Sequence, residues 1–178
     1  MTGPGLIVVS GPPGAGKTTL AHTVAIGVGC PAICRDEVRE GMLHAGTPDP
    51  TMLRTNAAFF AAVELLLRAG VTVVAEAAFQ DRLWRPALEP LTALGSLRVI
   101  RCLIDPGIAR DRIAARLVVP TRAAHNDGRL LAAPGVLTTW EPISLPVPVL
   151  TVDTTDGYRP GLPEIVAFAT GRAADHDT

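Results

Sequence analysis

Short apolar, β-branched runs alternate along this chain with longer stretches of helical periodicity. The apolar runs are Leu6–Ser10, Ala32–Cys34, Val71–Ala75, Leu97–Ile104 and Val147–Val152. The helical patterns between them are Lys17–Val28, Asp36–His44, Met52–Ala69, Arg82–Leu94, Ile108–Leu117 and Pro163–Thr170. Strands separated by helices predict an α/β fold, with a parallel five-stranded sheet covered by helices on both faces. Val71-Thr72-Val73-Val74-Ala75 is almost wholly apolar, as a central strand buried on both sides should be. Gly46-Thr47-Pro48-Asp49-Pro50 separates two helical patterns. Residues 119–128 are polar, carry Pro120 and read as a mobile loop, and the Pro-rich stretch 132–148 reads as extended. No repeat is visible. One domain over 1–171 is expected, with a frayed tail at 172–178.

Composition narrows the function classes. With 178 residues and a net charge of −1, the chain can build a real core and has no basic field to draw it to nucleic acid or a membrane. It has no long apolar run and no N-terminal signal pattern, so a cytoplasmic location is expected. Cys30, Cys34 and Cys102 lack C-x-x-C spacing and read as small buried hydrophobes in a reducing compartment. His22, His44, His125 and His176 show no metal-ligand spacing.

One segment carries specific chemistry. Lys17 is the only lysine, against fifteen arginines, and it stands in Gly11-Pro12-Pro13-Gly14-Ala15-Gly16-Lys17-Thr18. This is the phosphate-binding pattern G-x-x-x-x-G-K-[ST], and it lies between a predicted strand and a predicted helix, as it must. The glycines let the backbone curl so that successive N–H groups face a phosphate. The start of the following helix adds unpaired N–H groups and a positive dipole end. Residues Gly11 to Thr18, with Thr19 behind them, are thus expected to hold ATP. Lys17 would reach the β- and γ-phosphates, and Thr18 would offer its hydroxyl to Mg²⁺.

Two carboxylates follow at strand ends, on the edge of a parallel sheet where ligands bind. Asp36 comes after the second strand. It could accept a proton from an attacking hydroxyl, with Arg39 one turn on orienting the acceptor. Spacing alone allows equally that Asp36 caps the helix beginning at Glu37. Glu76 ends the third strand and is expected, with Thr18, to order Mg²⁺. Arg112 and Arg116 are four apart and share one helix face, whereas Arg110 should point elsewhere. Gln80, Arg82 and Arg85 follow the third strand, where the arginines read equally well as a solvated helix face. His125 reads as an exposed loop histidine.

These motifs resemble the P-loop phosphotransferases typified by phage 5′-polynucleotide kinase, chloramphenicol phosphotransferase and zeta-toxin kinases. The likeness rests on Gly11–Thr18 and on Arg35-Asp36-Glu37-Val38-Arg39. It implies a three-layer fold like that of nucleoside and shikimate kinases, with a lid at about 117–130. It further implies that Asp36 is the general base and that Arg39 contacts the acceptor. Arg112, Arg116 and Arg122 would then bind phosphates or stack on adenine, and the turn holding Thr154, Asp156 and Tyr158 would border the base. Glu76 stands where the family usually has Asp.

The expected activity is therefore ATP- and Mg²⁺-dependent transfer of a phosphoryl group to a hydroxyl of a small molecule. Phe59, Phe60, Phe79 and Trp84 serve either as core or as the wall of an apolar acceptor pocket. A polynucleotide acceptor would favour a basic channel, which the charge balance argues against, although a local arginine patch could bind one terminal phosphate. The alternatives are a polynucleotide 5′-hydroxyl kinase and an ATP-binding switch or slow ATPase without its own acceptor. The sequence leaves the oligomeric state open.

Overall fold

Strand β1 (Gly5–Ser10) is buried along its whole length and forms the centre of the sheet. It pairs in parallel with β3 (Val73–Glu76) on one side and β4 (Ser96–Leu103) on the other. Strand β2 (Ala32–Cys34) adds outside β3, and β5 (Val149–Asp153) outside β4. The order is β2-β3-β1-β4-β5, all parallel, in a computed structural model that describes residues 3–47, 51–116 and 140–172.

Side chains on β1 alternate between two cores. Leu6 and Val8 face a layer containing Phe59, Val63, Leu67, Trp84 and Leu88, which come from α3 (Met52–Arg68) and α4 (Asp81–Leu88). Ile7 and Val9 face Leu20, Val24, Ile165 and Ala169, from α1 (Lys17–Val28) and α6 (Leu162–Thr170). This period of two makes the sheet the middle of three layers. Full burial of each such aliphatic side chain stabilises the fold by about 1.5–3 kcal/mol. The other described α-helices, α2 (Arg35–His44) and α5 (Pro106–Arg116), follow β2 and β4. Among the described residues no helix is long and apolar enough to cross a membrane.

Several boundaries differ from expectation, three of them for clear local reasons. β3 starts at Val73 because the Val71 amide closes the end of α3, donating to the Leu66 carbonyl at 2.9 Å. The predicted helix Arg82–Leu94 divides into α4 and a 3₁₀ turn, Glu89–Ala93. Pro90 has no N–H to bond back to residue 86, so the α-helical ladder gives way there. β5 starts at Val149, since the Val147 amide turns back onto the Leu145 carbonyl at 2.8 Å. The described part of the Pro-rich stretch, from Trp140, forms no helix or strand before β5, and it buries Ile143 and Leu145 in the α3–α4 core.

Candidate active site

The phosphate-loop motif runs from the end of β1 into α1. Gly16 is the N-cap of α1 with φ of 70°, a left-handed conformation that glycine adopts without strain. Gly14 has φ of 81°, and a Cβ built on it would lie 2.7 Å from the Ala109 carbonyl of α5. The Lys17 ammonium folds back and donates to the Pro12 carbonyl at 3.1 Å, which keeps it over the loop. Ala15 is buried, and Thr19 is exposed in the first turn of α1.

Thr18 and Glu76 meet in front of this loop: the Thr18 hydroxyl donates to Glu76 Oε2 at 3.1 Å. Glu76 closes β3 beside β1, where Val9 and Glu76 are register partners, so the sheet itself delivers the carboxylate. Glu76 is only 4% exposed. Burial pushes its carboxyl above the ordinary carboxylate range, and the Asp36 and Glu37 carboxylates add to this. The Lys17 charge and the Thr18 hydrogen bond act the other way. A buried carboxylate beside a hydroxyl is an all-oxygen pair of the kind a hard divalent cation takes.

Asp36 sits one residue inside α2, whose N-cap is Cys34, so it does not cap the helix. Its Oδ1 accepts from Arg35 Nη1 at 2.8 Å, and Arg35 Nε donates to Asn56 Oδ1 of α3 at 3.1 Å. Arg39 is half-buried one helical turn beyond Asp36. Asn56 was not among the expected site residues. A polar amide placed within the helix was the available signal, since Asn is disfavoured in helix interiors.

Arg112 and Arg116 are half-buried on the same face of α5, and Arg110 is exposed. Arg112 Nη2 donates to the carbonyls of Thr154 and Thr155, each at 3.0 Å, and so ties α5 to the turn after β5. The Thr154 hydroxyl is buried and lies 2.9 Å from the Ala15 carbonyl and 2.8 Å from that of Leu103. Thr154 thus braces the phosphate loop from below, and its hydroxyl faces the protein. Asp156 is exposed and Tyr158 half-buried in the same turn. Asp153, before the turn, is held below the usual carboxylate range by hydrogen bonds from Thr155. Arg122 and His125 lie outside the described residues, as does the expected lid beyond Arg116.

The four aromatic residues form one cluster. Phe79 and Trp84 meet edge to face with ring centroids 4.9 Å apart, and Phe59 packs on Phe60 at 5.2 Å. Phe59, Phe79 and Trp84 are buried and belong to the core, which leaves the half-buried Phe60 as the ring nearer the surface. Arg82 is exposed and pairs with Glu141 at 3.3 Å, while Arg85 pairs with Glu89 at 3.8 Å, so both lie on a solvated face. Gln80 is the N-cap of α4.

Solved structures share this architecture. A candidate kinase from Chloroflexus aurantiacus J-10-fl superposes with a TM-score of 0.78 at 25% identity, covering 97% of this chain and 100% of its own. A sugar kinase from Janibacter sp. HTCC2649 gives a TM-score of 0.65 at 20% identity, covering 98% and 99%. A gluconokinase from Sinorhizobium meliloti 1021 gives 0.58 at 24% identity, covering 94% and 90%. No curated protein matches the sequence. The fold is that of the P-loop kinases. A family model described as an AAA domain matches residues 6–129, from β1 past the end of α5, and the chain belongs to that family.

Proposed function

We propose that the chain is an ATP- and Mg²⁺-dependent phosphotransferase that moves the γ-phosphate of ATP to a hydroxyl of a small molecule. The observation that carries this reading is the meeting of Thr18 and Glu76 at 3.1 Å in front of the loop that holds Lys17. Asp36 stands close enough to bear on the Glu76 carboxyl. Phosphate-binding backbone, cation-holding oxygens and a base are then grouped at one sheet edge. The sugar kinase and gluconokinase folds support a hydroxylated small molecule as acceptor.

In this reading the backbone of Gly11–Thr18 and the start of α1 bind the phosphates. Lys17 swings from the Pro12 carbonyl to the β- and γ-phosphates. Thr18 and Glu76 would hold Mg²⁺, which when bound neutralises charge on the phosphates. Asp36 accepts the proton of the attacking hydroxyl, and Arg35 and Asn56 hold its carboxylate in place. Arg39 positions the acceptor. Arg112 and Arg116, with Arg122, offset charge on the group in transfer.

The test is ADP release from Mg²⁺-ATP with a panel of sugars, nucleosides, aminosugars and 5′-hydroxyl oligonucleotides, run beside Asp36→Asn and Lys17→Ala. One small acceptor should raise turnover far above background. Asp36→Asn should lower that rise by about 10²–10⁴-fold while nucleotide still binds. Full transfer by Lys17→Ala would overturn the reading. Stimulation by oligonucleotides alone would move the acceptor to nucleic-acid ends. Release that ignores every acceptor and survives Asp36→Asn would make the chain a switch or slow ATPase.

A further inference from the structure

A second group of ligating side chains gathers at the end of β2, beside Glu76, and the phosphotransferase reading does not use it. His22 of α1, Cys34 at the end of β2 and Glu37 in the first turn of α2 bring one ligand atom each to a common point. His22 Nε2 and Glu37 Oε1 are 2.7 Å apart, Cys34 Sγ and His22 Nε2 are 3.7 Å apart, and all three atoms lie within 4.8 Å of one another. We propose that His22, Cys34 and Glu37 form a binding site for a zinc-class divalent cation, with water completing a tetrahedral shell.

The spacing suits that ion. Tetrahedral zinc holds a sulfur and a nitrogen ligand about 3.6 Å apart, and a nitrogen and an oxygen about 3.4 Å apart. The Cys34–His22 separation already has that value. The His22–Glu37 contact has to open by roughly 0.7 Å to reach it. The two side chains can do so, because each is 47% exposed. Cys34 is buried at 1% exposure and anchors the site. The three ligands come from consecutive elements whose backbones are set by the sheet and its flanking helices, so little must be ordered on binding.

The ligand chemistry separates this site from the one in front of the phosphate loop. Sulfur and imidazole nitrogen select zinc-class ions, whereas the hydroxyl and carboxylate of Thr18 and Glu76 suit magnesium. Binding replaces the Cys34 S–H bond with a sulfur–metal bond and releases the proton to solvent. Thiolate and carboxylate together then balance the charge of the dication. Burial and the neighbouring Glu76 and Glu37 carboxylates push the Cys34 thiol up, so the metal has to displace its proton.

The experiment is a titration of the reduced full chain with Co²⁺ in excess Mg²⁺, followed by Zn²⁺. One Co²⁺ per chain should bind with near-ultraviolet thiolate-to-cobalt absorption, and one equivalent of Zn²⁺ should bleach it. Cys34→Ser should abolish the absorption, and Cys30→Ser should retain it. His22→Ala and Glu37→Gln, both at exposed positions, should each weaken Zn²⁺ binding at least tenfold while the melting curve shows a folded protein. Absence of thiolate absorption in the folded wild-type chain would overturn the proposal. So would wild-type Zn²⁺ affinity in folded His22→Ala, which would leave the group as an ion pair over a buried thiol.

Discussion

The Thr18 hydroxyl reaches Glu76 Oε2 over 3.1 Å, and this single bond joins the start of α1 to the end of β3. It places the two oxygens best suited to a hard cation side by side, one of them on a carboxylate that the fold has taken almost wholly out of water. Burial raises the Glu76 carboxyl above its ordinary range. The folded protein therefore holds that proton to higher pH than the unfolded chain does. Its stabilising contribution is complete below the ordinary carboxylate range and is lost as pH climbs through the raised one. In the absence of Mg²⁺, Glu76→Gln should gain on wild type in melting temperature as pH rises through that window, by a few degrees at most. It should also lose Mg²⁺-dependent turnover. A difference in melting temperature that does not change with pH would contradict the buried-charge argument.

Thr154→Val tests the brace under the phosphate loop. Valine keeps the shape but removes the donor 2.9 Å from the buried Ala15 carbonyl. Leaving such an acceptor unsatisfied costs about 1–3 kcal/mol. Thermal melts should show a loss of roughly 2–4 °C for each kcal/mol. Nucleotide affinity should fall as well, since Ala15 belongs to the loop itself.

Arg112→Lys should not be conservative. One guanidinium nitrogen serves the Thr154 and Thr155 carbonyls together, and a lysine ammonium, on a shorter and more flexible stem, does not hold a donor at that point. The expected result is a rise of about tenfold in the nucleotide Kd, equivalent to about 1.4 kcal/mol. Arg110→Lys, at an exposed position two residues away, is the control and should leave the Kd unchanged. Isothermal titration with a non-hydrolysable nucleotide measures both.

Trp84→Ala distinguishes core from acceptor wall. The indole packs on Phe79, Phe59 and Phe60 with centroid distances of 4.9, 6.3 and 5.7 Å. Truncating it should cost about 3–5 kcal/mol, read as a lowered urea midpoint. If stability holds and only the KM for the acceptor rises, the ring lines the acceptor pocket instead.

Much of this architecture was legible in the sequence. Lys17–Val28 and Ala32–Cys34 have the bounds that periodicity suggests, because each is closed by glycine or flanked by a change of period. Val71 was not legible as a helix cap, since a β-branched residue in an apolar run reads as strand until its amide is seen bonded to Leu66. The phosphate loop was legible because its chemistry requires fixed residues at fixed spacing. The Arg35–Asn56 link and the His22–Cys34–Glu37 group were not, because their members come from separate elements and only the sheet order brings them together. The aromatic residues showed apolar character alone, and their burial is a property of three-dimensional packing.

The contact between Gly14 and Ala109 carries one more consequence. A methyl group at residue 14 would press 2.7 Å from the Ala109 carbonyl, so loop and helix touch backbone to backbone. Only the Ala109 backbone and its single methyl face Gly14, so no long side chain is there to give way if α5 moves toward the loop. That contact sets how closely the helix carrying Arg112 approaches the loop, and any larger residue at position 14 would push the two apart.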